Sequence, residues 1–144
     1  MSYPPTVAHA AQQTQEWLKQ VRDYADLADE QHAYSALRAV MHQLRDRLTL
    51  QEAFGLAAQL PTLIRGIYFE GYRPGHVPEK IRTKEEFFDG VAAKLMPHRI
   101  PPDEAVRAVF ATLAYRCDAG EIADVVDQLP VPIKALWPTG SARH

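Results

Sequence analysis

Six histidines and one cysteine are the side chains in this chain best suited to metal or nucleophilic chemistry. His9, His32, His42, His76, His98 and His144 fall on different elements or in tails. No His-Glu-x-x-His occurs, and Asp29-Glu30-Gln31-His32 is a lone Asp-x-x-His, where a di-iron bundle needs inward carboxylates and such motifs from several helices. Cys117 follows Tyr115-Arg116, and an arginine beside a thiol could lower its pKa. Its counterpart in the repeat described below is Leu48, so the position reads as small, apolar and buried. Seven scattered glycines build no phosphate loop after a strand. The expectation is therefore no catalytic residues, no metal and no cofactor.

A second concentration is Arg65-Gly66-Ile67-Tyr68-Phe69-Glu70-Gly71-Tyr72-Arg73. It puts three aromatics, two arginines and a carboxylate within nine residues beside a loop. Aromatic and arginine side chains are the usual anchors of protein interfaces. Arg65, Tyr68, Glu70, Tyr72 and Arg73 are the candidate interaction surface. The alternative is that Phe69 and Tyr72 lock the loop onto the body of the protein while Glu70 pairs with Arg73.

The elements that position these residues follow from apolar periodicity and capping signals. Trp17, Leu18, Val21, Tyr24 and Ala25 predict a helix that ends near Ala28. It starts at a Thr14 cap or reaches back to Thr6. Asp29 caps a helix over 30–47, with the stripe Ala33, Tyr34, Leu37, Val40, Met41, Leu44 and Leu48, and with Arg38, His42, Arg45 and Asp46 on the opposite face. Thr49 and Glu52 have capping-box spacing for a helix over 50–60. Pro61 ends that helix and opens another over 61–69, burying Leu63, Ile64, Ile67 and Tyr68. Residues 70–82 carry two glycines and two prolines and read as a linker. Further helices are expected from Thr83, with the stripe Phe87, Phe88, Val91, Ala92 and Leu95, and over 103–116, 119–128 and 131–137. Residues 1–5 and the tail from Pro138 should be loose.

Half of this pattern restates the other half. At an offset of 69, Ala36–Phe69 aligns without a gap on Ala105–Pro138. Ala36, Arg38, Ala39, Val40, Leu44, Arg47, Glu52, Gln59, Leu60, Pro61 and Ile64 all recur, which is far above chance and indicates a duplication. The expected fold is all-α: eight helices in two tandem four-helix repeats, about 14–69 and 83–138, packed pseudo-symmetrically in a single domain over 1–144. Leu60 and Leu129 should fill the corners before the prolines. Recurring Arg47/Arg116 and Glu52/Glu121 should tie the second helix of each repeat to the third. Gln59 and Gln128 should serve backbone groups at the proline junctions. The functional alternative for the recurring polar residues is two equivalent ligand sites.

Bulk properties narrow the function classes. Hydrophobic residues make up 47% and charged residues 24%, as in ordinary globular chains. A net charge of −2 argues against a dedicated nucleic-acid binder. No apolar run approaches a membrane span, and Met1-Ser2-Tyr3-Pro4-Pro5 lacks a leader's basic start, so the cytoplasm is the expected location.

Leu37-Arg38-Ala39-Val40 through Leu48, then Ala57-Ala58-Gln59-Leu60-Pro61 and Ile64–Tyr68, resemble the bacterial family called domain of unknown function 2267. Thr14, Trp17 and Leu18 match its usual start, and Gln128-Leu129-Pro130 its end. The resemblance spans about residues 10–138. It implies a small all-helical protein and brings no activity or catalytic residue with it. Two functions remain in view: a non-enzymatic protein-interaction module, with a separate partner or a second copy of itself, or a small-molecule-binding protein or enzyme with a pocket between the repeats.

Overall fold

The computed structural model describes residues 3–142; the expectations for Met1, Ser2 and His144 lie outside this range. The described residues contain eight α-helices and no strand. They are α1 (Pro5–Ala25), α2 (Glu30–Arg45), α3 (Leu50–Ala57), α4 (Thr62–Phe69), α5 (Lys84–Leu95), α6 (Pro102–Arg116), α7 (Ala119–Asp127) and α8 (Val131–Lys134). A short 3-10 turn, Pro74–His76, interrupts the linker.

Four of the predicted starts are capped by a side chain, the one before α7 by Asp118, which accepts from the Glu121 amide. Asp29 accepts from the His32 amide, Thr49 from the Glu52 amide and Thr83 from the Glu86 amide. Thr14 is not a cap. It sits mid-helix and its hydroxyl donates to the Ala10 carbonyl at 2.8 Å, because the helix runs back to Pro5. The first helix stops at Ala25, three residues early, where Asp26 adopts a left-handed conformation (φ 51). The expected loose start is helical from Pro5 onward, and the tail folds back so that Ala142 packs on the core.

α2 is the hub. It packs against α1, α4, α5 and α6, while α3 packs on α7. A helix covered by four neighbours has little solvent face to spare. His42 and Arg45, which the sequence set opposite the apolar stripe, are therefore buried, and so is Gln43. Each is buried with partners, as a polar group in a core must be. His42 Nε2 meets the Ile67 carbonyl at 2.7 Å, and Gln43 accepts from Lys94 Nζ at 2.7 Å. Arg45 holds the Tyr68 and Glu70 carbonyls.

The corners are as expected. Leu60 and Leu129 are 1% and 3% exposed. Tyr24 and Leu63 are the exceptions among the predicted core, at 52% and 47% exposed.

Candidate functional site

The Arg65–Arg73 segment leaves α4 and turns into the linker, and most of its polar groups are spent on that turn. Arg65 donates to the Ala57 carbonyl at 2.9 Å and the Leu60 carbonyl at 2.8 Å, closing the end of α3. Tyr68 is fully buried, and its hydroxyl donates to the Ala53 carbonyl at 2.9 Å. Burial pushes its phenol above the ordinary range. Tyr68 thus belongs to the core and is no part of a surface, because it lies on the face of α4 that meets α2 and α3. Glu70 pairs with Arg38 at 3.3 Å, not with Arg73. Arg73 stays exposed, 3.1 Å from His76 Nε2. Tyr72 is half-buried, with the Arg45 guanidinium 5.5 Å from its ring centre.

What the sequence did not single out is Phe54. It projects from α3 at 56% exposure, yet its ring lies 5.2 Å from Phe69 and 6.4 Å from Tyr72. Phe69 and Tyr72 are themselves 5.7 Å apart, so three rings form one cluster with an open side. Leu50, 47% exposed, lies one turn before Phe54 on the same helix face. The residue 69 positions after Phe54 is Ala123, which is buried. That difference between positions 54 and 123 was readable from the sequence.

A second concentration lies where α3 meets α7. Carboxylate oxygens of Glu52, Glu121 and Asp124 lie within 4.8 Å of one another. The expected ties from Arg47 and Arg116 to these glutamates do not form. Arg47 turns instead to Glu79 of the linker at 2.5 Å. Arg116 donates to Gln20 at 2.5 Å and sits over the Trp17 ring. Glu52 Oε2 and Glu121 Oε1 are left buried and unpartnered. Burial first, and then Glu52 and the neighbouring aspartates, hold the Glu121 carboxyl above its usual range. Crowded carboxyl groups hold a proton more tightly than a lone one, which is the direction Glu121 takes. The trio has the ligand type of a hard divalent cation.

Beside it, Gln59 and Gln128 work differently from the expectation. The Asp118 amide donates to Gln59 Oε1 at 3.1 Å, and the Thr49 amide donates to Gln128 Oε1 at 3.2 Å. Each glutamine satisfies the first free N–H of the helix on the other side, a group that helix geometry leaves open.

Cys117 is buried and free, and burial pushes its thiol up to about 12, so it is no nucleophile at neutral pH. His32 and His98, far apart in sequence, meet with ring centres 4.7 Å apart, and His32 also contacts Asp29 at 2.7 Å.

A hollow of about 400 Å³ opens between the linker and the α7–α8 corner. Arg47, Lys80 and Arg82 line it together with Ile81, Leu129 and Ile133. Another, of about 440 Å³, lies between Tyr24, Tyr115 and the chain end at Pro138–Ser141.

No helix among the described residues is long and apolar enough to cross a membrane. No curated protein matches the chain. The sequence profile of a family described as an uncharacterized conserved protein, DUF2267, matches residues 14–136, nearly the whole of the chain. The all-helical fold and the recurring Gln-Leu-Pro corners stand within that span, and the chain belongs to the DUF2267 family.

Proposed function

We propose that the protein is a non-enzymatic helical module that binds a protein partner through the surface of Phe54, Phe69 and Tyr72, with Glu70 and Arg73 at its edge. The observation that carries this is Phe54, a large aromatic kept 56% exposed while two neighbouring rings hold it in place. Leaving such a ring in water forgoes the stabilisation that burial gives. The fold does not demand it, since the corresponding position in the other half is a buried alanine. A pre-positioned aromatic loses little side-chain freedom on binding, which favours its use as an anchor. No described residues combine a nucleophile with a base, which fits a binding role. The free Cys117 thiol fits the cytoplasm as its compartment.

The architecture behind this reading is a duplicated unit of four helices. Its support is that contacts come in exchanged pairs: α1 packs on α2 and α6, and α5 on α6 and α2. The two glutamine bonds, Gln59 to Asp118 and Gln128 to Thr49, also map onto each other under the 69-residue offset.

The test uses Phe54→Ser with Arg73→Ala, two exposed positions. Sedimentation equilibrium reads self-association and affinity capture reads a heterologous partner. The expected result is an association of the parent protein that the double variant loses while its thermal midpoint holds. A parent protein that stays monomeric and captures nothing, or a variant that associates as well as the parent, overturns the proposal. A second reading, a small-molecule binder, is favoured by the hollow lined by Arg47 and by the corner after α7.

A further inference from the structure

The hollow beside the linker brings together three parts of the chain: Arg47 after α2, residues 78–82 of the linker, and the Gln128–Pro130 corner with Ile133. Its polar lining is cationic. Arg47, Lys80 and Arg82 face one carboxylate, Glu79, in a protein whose net charge is −2. Glu79 engages only the Nη2 end of Arg47. The Arg47 side chain is 9% exposed, and its Nε is buried with no partner among the described residues. A buried donor without an acceptor is costly to keep, and a guanidinium cannot shed its charge to escape that cost. Burial lowers the Arg47 pKa, the direction expected of a cation held away from water. Neither Lys80 nor Arg82 has an ion pair or hydrogen bond among the described residues, and both are exposed at the rim. Gln128 is not free to help, because its amide is committed to Thr49.

The remaining lining is apolar. Ile81, Leu129 and Ile133 form one wall, flanked by Pro78 and Pro130. A cavity of about 400 Å³ lies within the range that small-molecule sites occupy, roughly 300–1,000 Å³. Cations at one end and branched side chains at the other match a ligand of two parts.

We propose that this hollow binds an amphiphilic organic anion: a carboxylate or phosphate monoester on a small apolar body. The anionic head takes the Lys80 and Arg82 charges beside the Arg47 guanidinium, and the body lies against Ile81, Leu129 and Ile133. The proposal rests on the small-molecule reading and names its ligand class; it is independent of the Phe54 surface.

The test is an amide-resolved NMR titration of the full chain with phenyl phosphate and with hexanoate. Inorganic phosphate and hexanol serve as the head alone and the body alone. The expected result is saturable shifts at Arg47, Lys80–Arg82 and Ile133 with phenyl phosphate or hexanoate, the tighter of the two naming the head group. Lys80→Ala and Arg82→Ala should each weaken that binding about tenfold, the scale of one charge-assisted contact. Both are exposed substitutions that leave the core intact. Hexanol binding at this hollow as tightly as the anions overturns the anionic assignment while the small-molecule reading stands. Inorganic phosphate binding as tightly as phenyl phosphate overturns the two-part ligand. No shift at these amides with any probe at millimolar concentration overturns the site and that reading together.

Discussion

Replacing Glu121 by glutamine should stabilise the protein at neutral pH, although the side chain is partly buried and sits where α3 meets α7. Glu121 Oε1 and Glu52 Oε2 are buried and unpartnered, and the trio with Asp124 lies within 4.8 Å. Two unit charges at that separation repel by about 0.9 kcal/mol in bulk water and about 3.5 kcal/mol at an effective dielectric of 20. Glu121 is only partly buried, and proton uptake caps the repulsion, so the lower half of that range applies. Glutamine keeps the length, fits the same approach to Gly55, and can donate to the Glu52 oxygen. The expected gain for Glu121→Gln is about 1–2 kcal/mol at pH 7, a rise of several degrees in thermal midpoint. The sign of its pH dependence follows from linkage. The folded-state pKa of Glu121 is raised above its ordinary 4.5, so between the two values the folded chain holds more protons than the unfolded chain. That contribution is fully present below pH 4.5 and is lost as pH rises through the folded value. The variant has no such group, so its advantage over the parent should grow from near zero at pH 4 toward neutrality. Urea denaturation of both proteins from pH 4 to 8 measures this. A variant less stable than the parent at pH 7, or a difference that does not change with pH, would refute the crowding of Glu121.

Leu60→Ala and Leu129→Ala should each cost about 2–5 kcal/mol in denaturant melts, since both side chains are almost wholly buried inside the proline corners. His42 is held below its usual 6.5 mainly by burial. The unfolded chain therefore takes up a proton first, and stability should fall as pH drops below 6.5. His42→Gln should flatten that slope, and an unchanged slope would locate the titration elsewhere. Cys117, with its thiol pushed up to about 12 and 7% exposed, should react with a disulfide reagent at pH 8 only as fast as the chain opens. Rapid labelling in the absence of denaturant would contradict its burial.

Helix content, the Asp29, Thr49 and Thr83 caps and the buried corners at Leu60 and Leu129 were all legible in the chain. Each depends on neighbours within a few residues, or on an apolar stripe whose burial any helical partner would serve. The burial of His42, Gln43 and Arg45 was not legible. Periodicity locates one apolar face, and only the arrangement of α1, α4, α5 and α6 around α2 closes the other. The same holds for the five surface candidates. Arg65 and Tyr68 were absorbed by carbonyls at Ala57, Leu60 and Ala53, which no spacing rule connects to them.

Recurrence at 69 residues marked Arg47, Glu52 and Gln59 with Arg116, Glu121 and Gln128 as a set, but a recurrence in sequence carries no information about which element a side chain faces. Packing α3 on α7 turned the two glutamates toward each other and sent each glutamine across to the opposite helix start. It left Arg47 to the linker, and in doing so formed the cationic hollow. Local propensity and hydrophobic pattern determined the helices. The Arg38–Glu70 and Arg47–Glu79 ion pairs, the carboxylate cluster of α3 and α7 and the exposed Phe54 cluster are contacts between elements, decided only when these were packed together.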